Sequence, residues 1–574
     1  MDESRYAGPL AEAFSPAGDL ALLLTTGERA LPVPPSENRT VWDADTGTMN
    51  RPAAMAIIKR ARAERATPWP QPRASDAVRV YRDGDRDDFE QAVFARVHRL
   101  SRAVVAAAVT REDAWVDEVA DGVWMLCEQS SWCWPAHDDT FERHGSVLAT
   151  VTDPYLDLGA GEVVAQLAWV DQVLGLQLDQ RYPGLRARIR HEARVRVFAP
   201  FTRRRDWHWI GLDGDVHNWN PWIHGNVIAA ALRLLDRESE RQERADIVAL
   251  AIEGLDRYVA SLPEDGAIDE GYSYWWNGAC RALEALDLLT HASGGVLDAT
   301  GEIEALRETV AFPHRMHLGA GWYLNLADGQ AHPPIDQPWH ALHRAARSVG
   351  DTAASAHAAA HRHTAAIAPE SAGLGRLLRG LTEPMWVAAA GDASPLPRDV
   401  WLPSTEVLLT REAAGAVAGL TLAIKGGHNG EHHNHNDVGS FVVASDGVPA
   451  IVDAGRPTYT AQTFSPERYA IWTMQSTWHN VPEVAGHEQP AGRAYAAREV
   501  AVTIDDDASS LALDLASAYD VAGLTRWVRT ARLERGPGRV VIDDSWTLES
   551  HAASTTVHLL IAGAVALHQG GAVL

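Results

Sequence analysis

Residues 428–437, HNGEHHNHND, set four histidines (His428, His432, His433 and His435) among Asn429, Glu431, Asn434, Asn436 and Asp437. Imidazole, amide and carboxylate in such density can move protons, donate to a developing charge or hold a metal ion. The residues that follow alternate as a strand over 439–444, turn at Asp446-Gly447, and continue as a second strand over 449–453. Strand side chains alternate between faces. Pairing extended back through the run therefore puts His433, His435 and Asp437 on one side and His432, Asn434 and Asn436 on the other. Asp453 closes the second strand, and His479-Asn480 follows after a long loop. His435, Asp453 and His479 form a donor set of two imidazoles and a carboxylate, which suits zinc. The competing reading is a polar loop whose histidines only hydrogen-bond. Four histidines in one decapeptide beside an apolar hairpin weigh against it.

Three other stretches combine polar and aromatic side chains. Residues 216–226, VHNWNPWIHGN, lead into an apolar helix and exceed what a helix cap needs. Residues 269–278, DEGYSYWWNG, open another helix. The third begins Asp453-Ala454-Gly455-Arg456-Pro457-Thr458-Tyr459, passes Arg468, and ends at Ser476-Thr477-Trp478-His479-Asn480. The chain holds 21 tryptophans. Most, such as Trp124 and Trp169, read as core on apolar helix faces. Trp207, Trp209, Trp219, Trp222, Trp275 and Trp276 stand beside polar residues, where aromatic faces can stack on sugars.

The elements that must position these groups follow from periodicity. The chain has 574 residues, too many for one core. Residues 1–85, rich in Pro, Gly and Arg, read as an irregular N-terminal arm or cap. Helical spacing then runs through 88–110, 112–130, 161–177, 184–198, 222–238, 243–262, 277–293, 301–312, 338–349, 351–368 and 369–380. Such a succession predicts a toroid of helical hairpins over 86–383, with a helical solenoid as the alternative. From residue 384 to 574 the pattern becomes short alternating runs separated by turns, which predicts a β-sandwich cut short at its C-terminal end.

A net charge of −25 argues against nucleic-acid or anionic-membrane partners. It leaves room for an acidic ligand beside a local basic patch such as Arg203-Arg204-Arg205. Three cysteines, Cys127, Cys133 and Cys280, give no disulfide framework. The first residues lack a basic, then apolar, leader, and no apolar run approaches the length of a membrane span. A cytoplasmic protein is expected, although removal of a secretion signal would leave the same sequence.

In kind and order these pieces resemble the heparinase II/III-like polysaccharide lyases, a group that includes alginate lyases of similar build. The resemblance rests on His433-x-His435-x-Asp437-x-Gly439-Ser440-Phe441, then Asp453-x-Gly455, then His479-Asn480. It also rests on Asn218-Trp219-Asn220 and on the EGxxYWxxG pattern from Glu270 to Gly278. One departure follows Asn220, where relatives often carry Cys-Asn-Gly-Gly and this chain has Ile223-His224-Gly225-Asn226.

The resemblance implies an α+β chain, an incomplete (α/α) toroid followed by an antiparallel β-sandwich. It implies β-elimination at a uronic acid in a polysaccharide or oligosaccharide, leaving an unsaturated uronate. A glycosaminoglycan of the heparin or heparan sulfate type is favoured, with alginate open. Tyr274 matches the family's tyrosine base or acid, with Tyr272 as its substitute. Asn218 or Asn220 matches the donor that masks the uronate carboxylate, and His433 is a second donor. His224, Trp219, Trp222, Tyr272, Trp275, Arg205 and Tyr459 are expected to line the substrate, with Tyr459 a further proton carrier. One zinc on His435, Asp453 and His479 would support the site, and both domains would contribute to the cleft. The alternatives are a glycoside hydrolase on a toroid, which needs two carboxylates, and a non-catalytic carbohydrate-binding protein.

Overall fold

The computed structural model describes residues 6–362, 369–391, 393–549, 554–568 and 571–573. The chain forms two compact units that interleave in sequence. The first comprises Met1–Ser261, Trp276–Arg307 and Asp336–Asp392; the second comprises Leu262–Trp275, Glu308–Ile335 and Ala393–Leu574. Two short segments inside the expected helical stretch thus fold with the sheets.

The first unit is helical. Its principal helices, numbered in chain order, are α1 (Asp87–Thr110), α2 (Asp113–Glu128), α3 (Leu158–Arg181), α4 (Trp219–Leu234), α5 (Arg241–Ser261), α6 (Ala279–Ala292), α7 (Trp339–Val349), α8 (Thr352–Ala360) and α9 (Leu374–Thr382). Sequence neighbours pack as hairpins, α1 with α2, α4 with α5 and α7 with α8, and α4 also packs on α3 and α6. The first turn of α3 is closed by Asp157, whose carboxylate accepts the Ala160 N–H at 2.8 Å. The helix expected over 351–368 ends at Ala360, and 363–368 lie outside the described residues. The arm expected to be irregular contains a helix, Arg51–Glu64, packed on α1. Its inward positions are mostly alanines (Ala53, Ala54, Ala61) beside Ile57 and Ile58, a weak periodic signal. Among the described residues no helix is long and apolar enough to cross a membrane.

Among the described residues the second unit holds two larger antiparallel sheets beside four two-stranded ones. One is a meander of β1 (Asp399–Leu402), β2 (Val407–Arg411), β3 (Leu420–Lys425), β4 (Phe441–Ser445) and β5 (Val448–Ile451). The other runs in order through β6 (Arg498–Ile504), β7 (Ala508–Asp514), β8 (Leu524–Glu534) and β9 (Arg539–Leu548). Alternate residues of the two sheets share one core: Leu408, Leu422, Ile424, Phe441 and Val443 against Leu511, Leu513, Trp527, Ala531 and Leu533. Each leucine, isoleucine, valine and phenylalanine among them contributes about 1.5–3 kcal/mol by leaving water.

Within that core lies Arg529 of β8, fully buried. Its guanidinium forks onto Asp544 at 2.9 and 2.8 Å and donates to the carbonyls of Gly439 and Asn480 at 2.9 and 2.6 Å. One buried cation therefore ties the sandwich to the end of the histidine loop at Gly439 and to the backbone next to His479 at Asn480. That segment is not a strand. Residues 430–440 form a loop, and the sheet resumes only at Phe441, so the expected strand alternation of His433, His435 and Asp437 does not occur.

Candidate active site

Four segments of the second unit build the site. The first is a single helical turn, Tyr272–Trp275, opened by Gly271. Gly271 has φ +82°, and a Cβ there would lie 2.5 Å from the Leu326 carbonyl oxygen, so only glycine lets the two segments close. The turn sends Tyr272 and Trp275 into the interior, 1% and 0% exposed. Tyr272 stacks on Tyr323 at 3.9 Å, and the Trp275 indole donates to the Thr309 carbonyl at 2.8 Å. Neither lines an open surface, against expectation. Tyr274 faces the other way and is half-buried.

The second segment carries Asp328, completely buried after a left-handed Ala327. The third is the histidine loop. Lys425, buried, clamps it by donating to Glu431 at 2.8 Å and Asp437 at 2.6 Å. Burial drives the Glu431 carboxyl up to about 7 despite that lysine. Asn429 and Asn436 hold the same loop to Gln489 at 3.0 and 2.9 Å. His432 pairs with Asp269 at 3.1 Å. Much of the polar content of the run is thus scaffold. His433, at φ +53°, occupies a left-handed conformation that costs energy for a non-glycine residue and so marks a constrained site.

The fourth segment brings Asp453, Tyr459, Arg468 and His479. It meets the second at Gly455, whose missing side chain admits the Gly329 carbonyl, 2.7 Å from where a Cβ would stand. Asn325 donates to the Asp453 carbonyl at 3.2 Å.

These segments converge on Asp328. One carboxylate oxygen accepts from His435 Nε2 at 3.0 Å. The other accepts from His433 Nδ1 at 2.9 Å and from the Tyr459 hydroxyl at 2.9 Å. Arg468 donates to both at 3.1 and 3.0 Å. Burial alone would raise this carboxyl, but the two histidine bonds and the arginine charge outweigh it and hold Asp328 far below the usual carboxylate range.

The Tyr274 hydroxyl lies 2.5 Å from that of Tyr459. Because a carboxylate only accepts, Tyr459 donates to Asp328 and Tyr274 donates to Tyr459. The Tyr274 ring stacks on His433 at 3.9 Å. Burial, and then the neighbouring Tyr459, push the Tyr274 phenol well above its ordinary value, so it holds its proton. His433 Nε2 faces Glu270 at 3.4 Å. Arg456, exposed, lies over the Tyr459 ring at 4.9 Å.

Behind this group, His435, Asp453 and His479 each present one ligand atom, all within 4.8 Å of one another and all buried. His435 donates rearward from Nε2 to Asp328, and its Nδ1 is buried with no hydrogen-bond partner among the described residues. His479 donates rearward from Nε2 to the Thr473 carbonyl at 3.1 Å, and its Nδ1 faces Asp453 at 2.6 Å. Rearward donation that points the other ring nitrogen into the donor group is how metal-bound histidines are held. The donor set therefore fits a metal ion.

The remaining candidates lie in the first unit. Asn220 is fully buried and spends its amide on the Ile210 carbonyl at 3.2 Å and on His224 at 3.2 Å. Asn218 starts α4 without a side-chain cap bond. Trp219 and Trp222 are half-buried, Trp219 4.4 Å from the His137 ring and Trp222 bonded to Glu162. Trp207, Trp209 and Trp276 are core, whereas Trp124, expected in the core, is 52% exposed beneath Arg188. Arg205 is paired with Glu253 at 3.1 Å, and Arg204 with Asp139 and Asp206 at 2.9 and 3.0 Å. The basic patch is thus largely neutralised.

His224 is not a ligand-facing group. It is fully buried against Phe201, Trp209 and the bare backbone of Gly254, where a Cβ would stand 2.0 Å from its Nε2. Burial lowers it to about 3. Between that value and roughly 6.5 the unfolded chain binds the extra proton, so stability falls as pH falls, by up to roughly 5 kcal/mol. His224→Leu is expected to flatten the loss of urea stability between pH 7 and pH 4.5. An unchanged slope refutes a neutral buried imidazole.

The fold and this geometry set the comparisons in context. Residues 409–574 match the family described as Heparinase II/III-like, C-terminal. Among solved structures, a heparinase III with methylated lysines superposes with a TM-score of 0.56 at 13% identity, covering 98% of this chain and 78% of its own. A mutant of the heparan sulfate lyase HepC from Pedobacter heparinus gives 0.56 at 12%, covering 96% and 76%. A further heparinase III gives 0.54 at 11%, covering 87% and 75%. At these identities the likeness shows the fold, and the resemblance read from the motifs stands with it. No curated protein matches the sequence.

Proposed function

We propose that the protein is a polysaccharide lyase that cleaves next to a uronic acid by β-elimination. The observation that carries this reading is the Tyr274–Tyr459–Asp328–His433 arrangement, a proton-carrying phenol stacked on an imidazole, in which Tyr459 and His433 come from the region, 409–574, that matches the heparinase II/III-like C-terminal model. Two groups that give and take protons at adjacent carbons are what elimination needs.

In this reading His433 Nε2 removes the C5 proton, because Nδ1 is committed to Asp328. The C5–H electron pair forms the C4–C5 double bond, the C4–O4 bond breaks toward oxygen, and Tyr274 delivers its proton to O4. The proton then returns from His433 to Tyr274, so none is gained or lost overall. The sequence left Tyr274 open as base or acid and gave His433 the part of a donor; this reading makes Tyr274 the acid, since burial keeps its phenol protonated at rest, and His433 the base. Arg456, beside the phenols, receives the uronate carboxylate and supports the charge that develops on it. Zinc on His435, Asp453 and His479 would supply charge and rigidity to the loop, not an activated water. A glycosaminoglycan of the heparan sulfate type is the first substrate to test, with alginate next.

The direct test is incubation with heparan sulfate, chondroitin sulfate, hyaluronan and alginate while following the ultraviolet absorbance of the conjugated product. Absorbance should rise with at least one polymer. New reducing ends without absorbance would establish a hydrolase instead.

A further inference from the structure

We infer that Asp328 is the positioning residue that sets both histidines at once, fixing His433 with its proton on Nδ1 and His435 with its proton on Nε2. The sequence pattern gives Asp328 no such role, and it belongs to none of the motifs that carry the resemblance. Its two oxygens separate the tasks. One meets His435 at Nε2, which leaves its buried Nδ1 without a hydrogen bond among the described residues, within the group it forms with Asp453 and His479; the other meets His433 at Nδ1, which leaves Nε2, 3.4 Å from Glu270, as the nitrogen for chemistry. The same oxygen that holds His433 also takes the Tyr459 hydroxyl, so the direction of the tyrosine relay follows from it.

A carboxylate suits this task because it has four lone-pair positions and no proton of its own. An amide would offer an N–H to one partner and force that ring to reverse. Arg468 supports the arrangement by donating to both oxygens and to the Asn434 carbonyl at 3.2 and 3.1 Å, holding the acceptor and the histidine loop together. The group is also tethered from behind, since Asn325 of the same turn holds the Asp453 backbone. Metal affinity and proton transfer therefore share a single acceptor. The metal half of this inference concerns the chain alone; the proton-transfer half rests on the lyase reading.

The test uses the full chain, ¹⁵N-labelled in histidine, first free of metal and unmutated. Long-range ¹H–¹⁵N correlation spectra, assigned with His433→Gln and His435→Gln, should show a proton on Nδ1 of His433 and on Nε2 of His435. A bare nitrogen at either position overturns the proposal, and this result needs no variant of Asp328.

The second arm is Asp328→Asn/Arg468→Gln, which removes the buried charge and its partner together so that neither is stranded. Competition between the protein and a chromogenic chelator for Zn²⁺ should show affinity lowered about 10–100-fold, with the melting profile still cooperative. Unchanged affinity in the folded double variant also overturns the proposal. Where a polymer substrate is cleaved, the double variant should lose kcat with KM little changed. If no polymer yields an unsaturated product, the lyase reading fails while the nitrogen protonation and Zn²⁺ affinity still decide the role of Asp328.

Discussion

A uronate polymer whose carboxyl groups have been reduced to primary alcohols is expected to resist cleavage altogether, not merely to bind more weakly. The C5 proton is acidic enough to leave only if charge spreads onto the adjacent carboxyl group. A primary alcohol cannot accept that charge, so the barrier rises whatever the enzyme binds. Arg456, exposed above Tyr459, is the cation proposed to meet this group. Losing one donor to a developing oxyanion typically costs about 10²–10³ in kcat. Arg456→Met should therefore lower kcat on the native polymer while leaving the metal content unchanged. Asn218→Ala is expected to do the same more than Asn220→Ala, since the Asn220 amide is already spent on the Ile210 carbonyl and on His224. Hydrolases do not need the carboxyl group, because their oxocarbenium-like transition state does not use it. Cleavage of the reduced polymer at a comparable rate would sink the elimination reading.

Tyr274→Phe should lower the elimination rate by at least about 10²-fold with the melting temperature little changed. Only an oxygen is lost, and the ring still stacks on His433. The role of that oxygen can be separated from the role of the imidazole by the leaving group. An oligosaccharide analogue carrying a nitrophenyl ether at C4 needs no proton to depart. Tyr274→Phe should recover most of its rate on that analogue, whereas His433→Ala should not. Recovery by the histidine variant instead would exchange the two roles. A Tyr274→Phe enzyme near the wild-type rate on the natural polymer would move the acid to Tyr459, the next phenol in the chain.

The long helices and most strands were legible because their apolar residues keep a regular period. The strand β8 was not. Along its buried face run Trp527, Arg529, Ala531 and Leu533, and an arginine in that series breaks the apolar alternation although Asp544 and two carbonyls satisfy it fully. The buried grouping of His435, Asp453 and His479, which could hold a metal ion, was legible from residue type and spacing. Asp328 was not, because Asp328-Gly329 reads as an ordinary turn and its partners lie more than a hundred residues away in sequence. Its only local signal is an aspartate set between Asn325 and Gly329, with no pattern to mark it as buried. Tyr272, Trp275 and His224 failed in the opposite direction. Their types and neighbours suit a cleft, but one turn of helix reverses which of Tyr272 and Tyr274 faces inward, and the bare backbone of Gly254 makes room for His224 in the core.

The interleaving of the two units bears on inheritance. The region that carries the family match, 409–574, holds His433, His435, Asp453, Tyr459 and His479, but neither Tyr274 nor Asp328. Recombination between relatives at the start of the sheets would carry the imidazoles to a new host and leave behind the carboxylate that orients them. An exchange of whole sheet regions would keep the arrangement only where donor and recipient already agree at both distant positions. The short segments around Tyr274 and Asp328, which look like connecting loops in the helical stretch, must drift in step with a region that lies far from them along the gene.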